Sequence, residues 1–120
     1  MDVAQAKQFC RSFPGVHEVE SGHPANVLSY KVRDKLFAYF KTSEPERWRF
    51  SFRVTPERFL ALTDQAGIKP ARYMHRYHWV TVVDVSRFDD EYLKELVAWS
   101  FNKAVSRLPK KVQAEIRDMT

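Results

Sequence analysis

Between Lys69 and Val82 the chain reads KPARYMHRYHWVTV, which places Lys69, Arg72, Arg76, two histidines and three large aromatics in one run without an acid. Residues of these types can hold a metal, contact phosphates, or tie one element of a fold to the next. A metal needs several converging ligands. His75 and His78 are three positions apart, so on a strand they point to opposite faces and converge only across a turn. His17 and His23 lie far off in sequence. His75 and His78 read as two unrelated histidines, and no metal is assigned. Cys10 is the sole cysteine, which removes an internal disulfide and a cysteine-based zinc site. Its spacing from Ala6 and Phe13 makes it a buried thiol and not a nucleophile.

Phosphate contact has the better physical case. In RWRFSFRV (residues 47–54) Trp48, Phe50, Phe52 and Val54 alternate with Arg47, Arg49, Ser51 and Arg53, so a strand here has one core face and one cationic face. Guanidinium groups on one strand face can line up along phosphates, with Lys31 and Lys41 on neighbouring strands. The segment from Lys31 to Arg53 carries seven basic residues against three acids within a chain of formal charge +5. Arg72, His75 and Arg76 with Lys110 and Lys111 make a second basic cluster. The alternative is a solvated basic face, whose arginines cover apolar surface or pair with Glu44, Glu46 and the acids of Asp89 to Glu95. Both readings stand at this point, and neither reads a base sequence.

Catalytic chemistry has no comparable support. Nucleophile-elbow, HExxH, Walker and dinucleotide-binding patterns are absent, and the three glycines are spread singly. Asp89, Asp90 and Glu91 suit a helix N-terminus, where carboxylates favour the dipole. Neither an enzymatic activity nor a cofactor is expected.

The elements that must position these residues follow from periodicity. Asp2 caps a helix over Val3 to Phe13, ended by Pro14-Gly15. A period of two starts at Val27 and continues through LFAYF as a hairpin, with a short strand before it near His17 to Glu20. Thr55-Pro56 starts a second helix, and Gly67 suits the left-handed residue that closes it. IKPARYMHRY reads as a loop and HWVTVVDV as the last strand. Asp89 or Asp90 begins the longest helix, which Pro109 ends, leaving a short helical or frayed tail. In this reading Trp79 packs on the helices while His78 and Tyr73 fix the loop by hydrogen bonds. Hairpin-linked strands bracketed by helices argue for an α+β fold, an antiparallel sheet with helices packed on one face. The 120 residues fit one domain spanning 1–120. The chain lacks a run of ~20 apolar residues and a secretory layout at its start, so a cytoplasmic protein without membrane contact is expected, with a monomer favoured.

The motifs FPGV (Phe13 to Val16), KLFAYF (Lys35 to Phe40), Pro70, Tyr73, His78 and Trp79 within residues 69–82, Ser100-Phe101, and LPKK (Leu108 to Lys111) resemble, in order and spacing, the MmcQ/YjbR family of small bacterial proteins. The resemblance covers almost the whole chain. It implies a CyaY-like (frataxin-like) two-layer sandwich and the double-wing DNA-binding role proposed for such proteins. Pro70, Tyr73, His78 and Trp79 are then the family's structural motif, and Phe101 stands where Tyr is more usual. Frataxins hold iron on an acidic first helix, but here that helix has Asp2 with Lys7 and Arg11, so the iron role does not carry over. DNA held through its backbone is the expected partner. A binding module for a small anionic ligand or a protein, without catalysis, is the alternative, and the two differ in how steeply binding falls with salt.

Overall fold

The computed structural model describes residues 1–119. Helix α1 (Val3–Arg11) is capped by Asp2, whose carboxylate accepts from the Gln5 amide while the Gln5 side chain accepts from the Asp2 amide. Two donors that a helix start leaves unpaired are thereby satisfied reciprocally. Strands β1 (Val16–Ser21), β2 (Val27–Val32) and β3 (Lys35–Lys41) follow as an antiparallel meander. The β2–β3 register runs Tyr30 to Ala38 and then Lys31 to Leu36, so Phe37 is the extra residue of a bulge. Phe37 and Ala38 are both fully buried in the core as a result.

The alternating run from Arg47 to Val54 is shorter as a strand than its pattern implies, because β4 is Phe50–Arg53. Trp48 takes φ +68, in a turn closed by hydrogen bonds from the Trp48 amide to the Lys41 carbonyl (2.7 Å) and from the Lys41 amide to the Arg49 carbonyl (3.0 Å). A left-handed residue breaks the pleat. Arg47 therefore falls out of line with Arg49 and Arg53, and its guanidinium stands 5.1 Å from the Trp48 ring.

Helix α2 (Pro56–Thr63) is capped by Thr55 and has Pro56 in its first turn, as its sequence implies. Gly67 is left-handed, at φ +84, but lies four residues past the end of α2 and forms the turn into β5 (Ile68–Pro70). That edge strand is a correction to the loop expected over residues 68–77. A 3₁₀ turn (His75–Tyr77) then leads to β6 (Trp79–Val82), and a second (Val85–Arg87) to α3 (Asp90–Ser106), capped by Asp89. Pro109 separates α3 from α4 (Lys110–Arg117).

The strands form one sheet in the order β1-β2-β3-β4-β6-β5, with every pairing antiparallel. Leu28, Tyr30, Phe40, Phe50, Phe52, Val80 and Val82 project to one face and join residues from all four helices in a single core. Ser100 on α3 fastens the layers: its hydroxyl donates to the Phe37 carbonyl (2.6 Å) and accepts from the Arg53 amide (3.1 Å). The fold is the α+β two-layer sandwich that the sequence implies, with the other face of the sheet bare of helices.

Candidate functional site

Register builds the bare face row by row. Ser29 on β2 pairs with Tyr39 on β3, Tyr39 with Ser51 on β4, Ser51 with Thr81 on β6, and Thr81 with Lys69 on β5. Directly paired residues share a face. Four hydroxyl side chains and one ammonium therefore run in a single line across five strands. At ~4.8 Å between strands, that line is about 19 Å long. The hydroxyls of Ser51 and Thr81 are 2.7 Å apart, and burial pushes the Tyr39 phenol up while its bond with the Ser51 hydroxyl pulls it back.

This line is the floor of a trough of about 630 Å³. Pro24 and Ala25, beyond β1, wall one side, and the segment from Pro70 to Met74 walls the other. Lys41, Arg49, Lys69 and Arg72 supply four cations at the trough against one acid, Glu46. Lys41 donates to the Ala25 carbonyl at 2.8 Å and Arg49 lies 3.6 Å from Glu46. Among the described residues Lys69 and Arg72 have no carboxylate partner.

A second trough, about 590 Å³, adjoins the first at Leu36 and Met74. Trp79 lies within it, and Lys35, Arg53, Lys103 and Arg107 bring four more cations, with Asp34 the one acid. Lys35 is 3.8 Å from Asp34. Burial and then the charge of Arg107 lower the proton affinity of Arg53, and both guanidinium groups line this trough. A third hollow, about 420 Å³, lies between α3 and α4 and is lined by Phe13, Phe101, Val105 and Ile116 among others. The Gln113 amide there is engaged by the carbonyls of Ser106 and Leu108, which leaves that hollow largely apolar.

Of the basic residues singled out from sequence, the structure brings Lys41, Arg49, Arg53 and Arg72 to the troughs. Lys31 shares their face beside Leu36 by register but lines neither trough. Arg47 is held over Trp48. His75 and Arg76 sit in the exposed 3₁₀ turn, Arg76 being 5.2 Å from the Tyr77 ring. Lys110 and Lys111 begin α4, in the helix layer. The sequence reading leaves Lys35, Lys69, Lys103 and Arg107 out of the candidate site, although Lys69 stands in its opening basic run, and it misses the hydroxyl line. Each hydroxyl is visible as the polar member of an alternating strand, but only the register aligns them.

The structural motif also differs from expectation. Trp79 is buried, at 4% exposure, but it lies outside the main core and stacks on Tyr39 at 5.9 Å on the bare face. Alternation is the reason: Val80 and Val82 take the core side, so Trp79 takes the other. The 71–77 segment folds back over it, tied by hydrogen bonds from the Ala71 amide to the Trp79 carbonyl (3.0 Å) and from the Trp79 amide to the Met74 carbonyl (3.4 Å). These backbone bonds fix the loop, in place of the side-chain bonds expected from His78 and Tyr73. His78 takes φ +65 and sets its ring edgewise on Phe59 at 5.6 Å, whereas Tyr73, at φ +67, is 84% exposed. Pro70 ends the edge strand β5, where the missing amide costs no ladder bond.

The remaining perturbed groups hold the fold. Glu18 on β1 accepts from the Arg11 guanidinium (2.9 and 3.2 Å) and from the Tyr30 hydroxyl (2.6 Å). Burial, and then the Glu18 charge, push the Cys10 thiol up to about 12, which keeps it protonated and unreactive. Among the described residues no three His, Cys, Asp or Glu side chains gather where a metal can bind, and no helix is long and apolar enough to cross a membrane.

A family model described as YjbR matches residues 11–103. A protein of Escherichia coli (strain K12) described as "Uncharacterized protein YjbR" is 32% identical over 111 residues, covering 91% of this chain and 92% of its own. Its counterpart in Escherichia coli O157:H7 matches equally. The crystal structure of a Deinococcus radiodurans protein with a domain described as DUF419 superposes with a TM-score of 0.79 at 26% identity, covering 97% of this chain and 88% of that one. A Pseudomonas syringae protein shares the fold at a TM-score of 0.68 and 18% identity, with 87% of this chain and 99% of that one covered.

Proposed function

The chain belongs to the YjbR family, and from that premise we propose that it is a DNA-binding module that holds backbone phosphates against its bare sheet face and catalyses no reaction. One observation carries the reading: the two adjoining troughs are lined by eight cations and two acids. Backbone phosphates are the abundant ligand for such a line of charge, because each neutralised phosphate releases condensed counterions. The tip of the β1–β2 hairpin and the 71–77 segment flank the face as two wings would. Contacts of this kind position a strand without reading its bases. DNA contact would place the protein in the cytoplasm.

A small phosphorylated or carboxylated ligand is the second reading, favoured by the hydroxyl line on the trough floor. Salt separates the two. The test is a titration with labelled DNA across a salt series, using wild type and two triple variants. Lys69→Gln/Arg72→Gln/Arg107→Gln removes trough cations, and Arg47→Gln/Lys110→Gln/Lys111→Gln removes the same charge from outside the troughs. The trough variant is expected to lose roughly 2 to 3 units of the slope of log affinity against log salt, at ~0.7 to 0.9 per phosphate contact. The other variant is expected to keep the wild-type slope. Equal losses in both variants, or a wild type that fails to bind DNA at low salt, would overturn the assignment.

A further inference from the structure

We propose that the strand held in the troughs is single, with its bases stacked on Tyr73 and Tyr77 and its backbone on the cations. The proposal rests on the DNA-binding reading above and goes further, since phosphate contact alone suits a duplex equally well.

Depth is the first reason. Ser51 and Ser29 are buried, at 2% and 8% exposure, while Tyr39 and Thr81 are half-buried and Lys69 is exposed, so these three are what the floor of the walled trough offers to a ligand. A duplex is a stiff rod with a persistence length of ~50 nm. It can rest on the cations at the rim, whereas contact with Tyr39 and Thr81 on the floor calls for a chain that bends into the trough. A flexible single strand can follow the trough and offer sugar and phosphate oxygens to the floor.

Aromatic placement is the second reason. Each trough has its own outward ring: Tyr73, 84% exposed, borders the larger one, and Tyr77, 47% exposed, borders the smaller. These are the two exposed tyrosines among the described residues, and both belong to the 71–77 segment that walls the site. Tyr73 holds a left-handed backbone at φ +67, and that turn carries its ring out into solvent. Its hydroxyl makes no hydrogen bond among those found in the structure. Exposed rings beside a cationic groove are stacking platforms for single strands, because every base has a π face and no base needs to be unpaired first.

The test compares one labelled mixed-sequence DNA oligonucleotide, alone and annealed to its complement, at one low salt concentration. Single-strand affinity should exceed duplex affinity about tenfold or more, on the scale of one or two stacked bases. Tyr73→Ala should weaken single-strand binding about fivefold to a hundredfold, the range for one lost stack, leave duplex affinity unchanged, and be rescued by Tyr73→Phe. Because Tyr73 is exposed, the variant should melt as wild type does. A duplex bound as tightly as the single strand overturns the proposal and leaves DNA binding standing. So does a Tyr73→Ala effect equal on both forms, or Tyr73→Ala and Tyr77→Ala variants that each keep wild-type single-strand affinity. Failure of both DNA forms to bind overturns the wider reading with it.

Discussion

Replacing Ser100 with alanine tests whether one hydroxyl fastens the helix layer to the sheet. The side chain is 2% exposed and serves two backbone groups at once, donating to the Phe37 carbonyl and accepting from the Arg53 amide. Ser100→Ala leaves both without that partner. An unsatisfied buried polar group costs about 1 to 3 kcal/mol, and an orphaned amide is worse than a carbonyl, which has a second lone pair. The alanine methyl also avoids burying a hydroxyl, which returns part of the loss. The net expectation is a destabilisation of about 2 to 3 kcal/mol. Equilibrium urea unfolding should show it as a lower midpoint with an unchanged m-value, since no surface is newly exposed in the folded state. A loss under about 0.5 kcal/mol, the level of an ordinary surface change, would show that the bulge and the end of β4 are held by something else.

Trp79→Ala should cost about 3 to 5 kcal/mol as a buried large-to-small change, and should also open the 71–77 segment to limited proteolysis, because that segment rests on the Trp79 ring; cleavage no faster than in wild type would refute the placement. Glu18 supplies a pH dependence. Burial pushes its carboxyl up, but the hydrogen bonds from Arg11 and Tyr30 and the charges of Arg11 and Lys7 together outweigh it, and the folded value is lowered from 4.5. A depressed carboxylate contributes stability that is present above its unfolded value and lost as pH falls through the folded one. Glu18→Gln should therefore be less stable than wild type at neutral pH, with the gap narrowing below pH 4.5; unfolding curves that stay parallel across that range would count against the cluster.

The caps at Asp2, Thr55-Pro56 and Asp89 were legible because each is a local matter of one side chain and the next turn. The core face of β4 was legible for the same reason, since Phe50 and Phe52 alternate with Ser51 and Arg53 whatever they pair with. Legibility failed where two segments had to meet. The bulge at Phe37 exists only against Tyr30. Trp79 lies on the bare face because Val80 and Val82 claim the core, and it is buried there because a loop rich in turn-forming contacts returns over it. An apolar, β-branched run therefore signalled burial correctly and the side of the sheet wrongly. The hydroxyl line is the extreme case: Ser29, Tyr39, Ser51, Thr81 and Lys69 come from five strands, and no window of sequence contains two of them in a revealing pattern.

The distribution of charge around the two troughs is harder to explain as solubility. A sheet face needs polar side chains to meet water, and mixing signs achieves that without self-repulsion. The chain does not lack acids, having 15 of them, yet Asp84, Asp89, Asp90, Glu91 and Glu95 gather before and along the first half of α3. Lys94 and Arg58 find carboxylates there, 3.7 and 3.4 Å away, while burial and then the charge of Arg107 lower the proton affinity of Arg53. Like charges gathered in a concave surface destabilise the unliganded fold and stabilise the complex with an anion by the same field. In the adjoining trough the half-buried hydroxyls of Tyr39 and Thr81 add groups that can hydrogen-bond to such an anion. If the troughs hold phosphates as proposed above, the cost in the free protein and the gain in the complex come from the same residues.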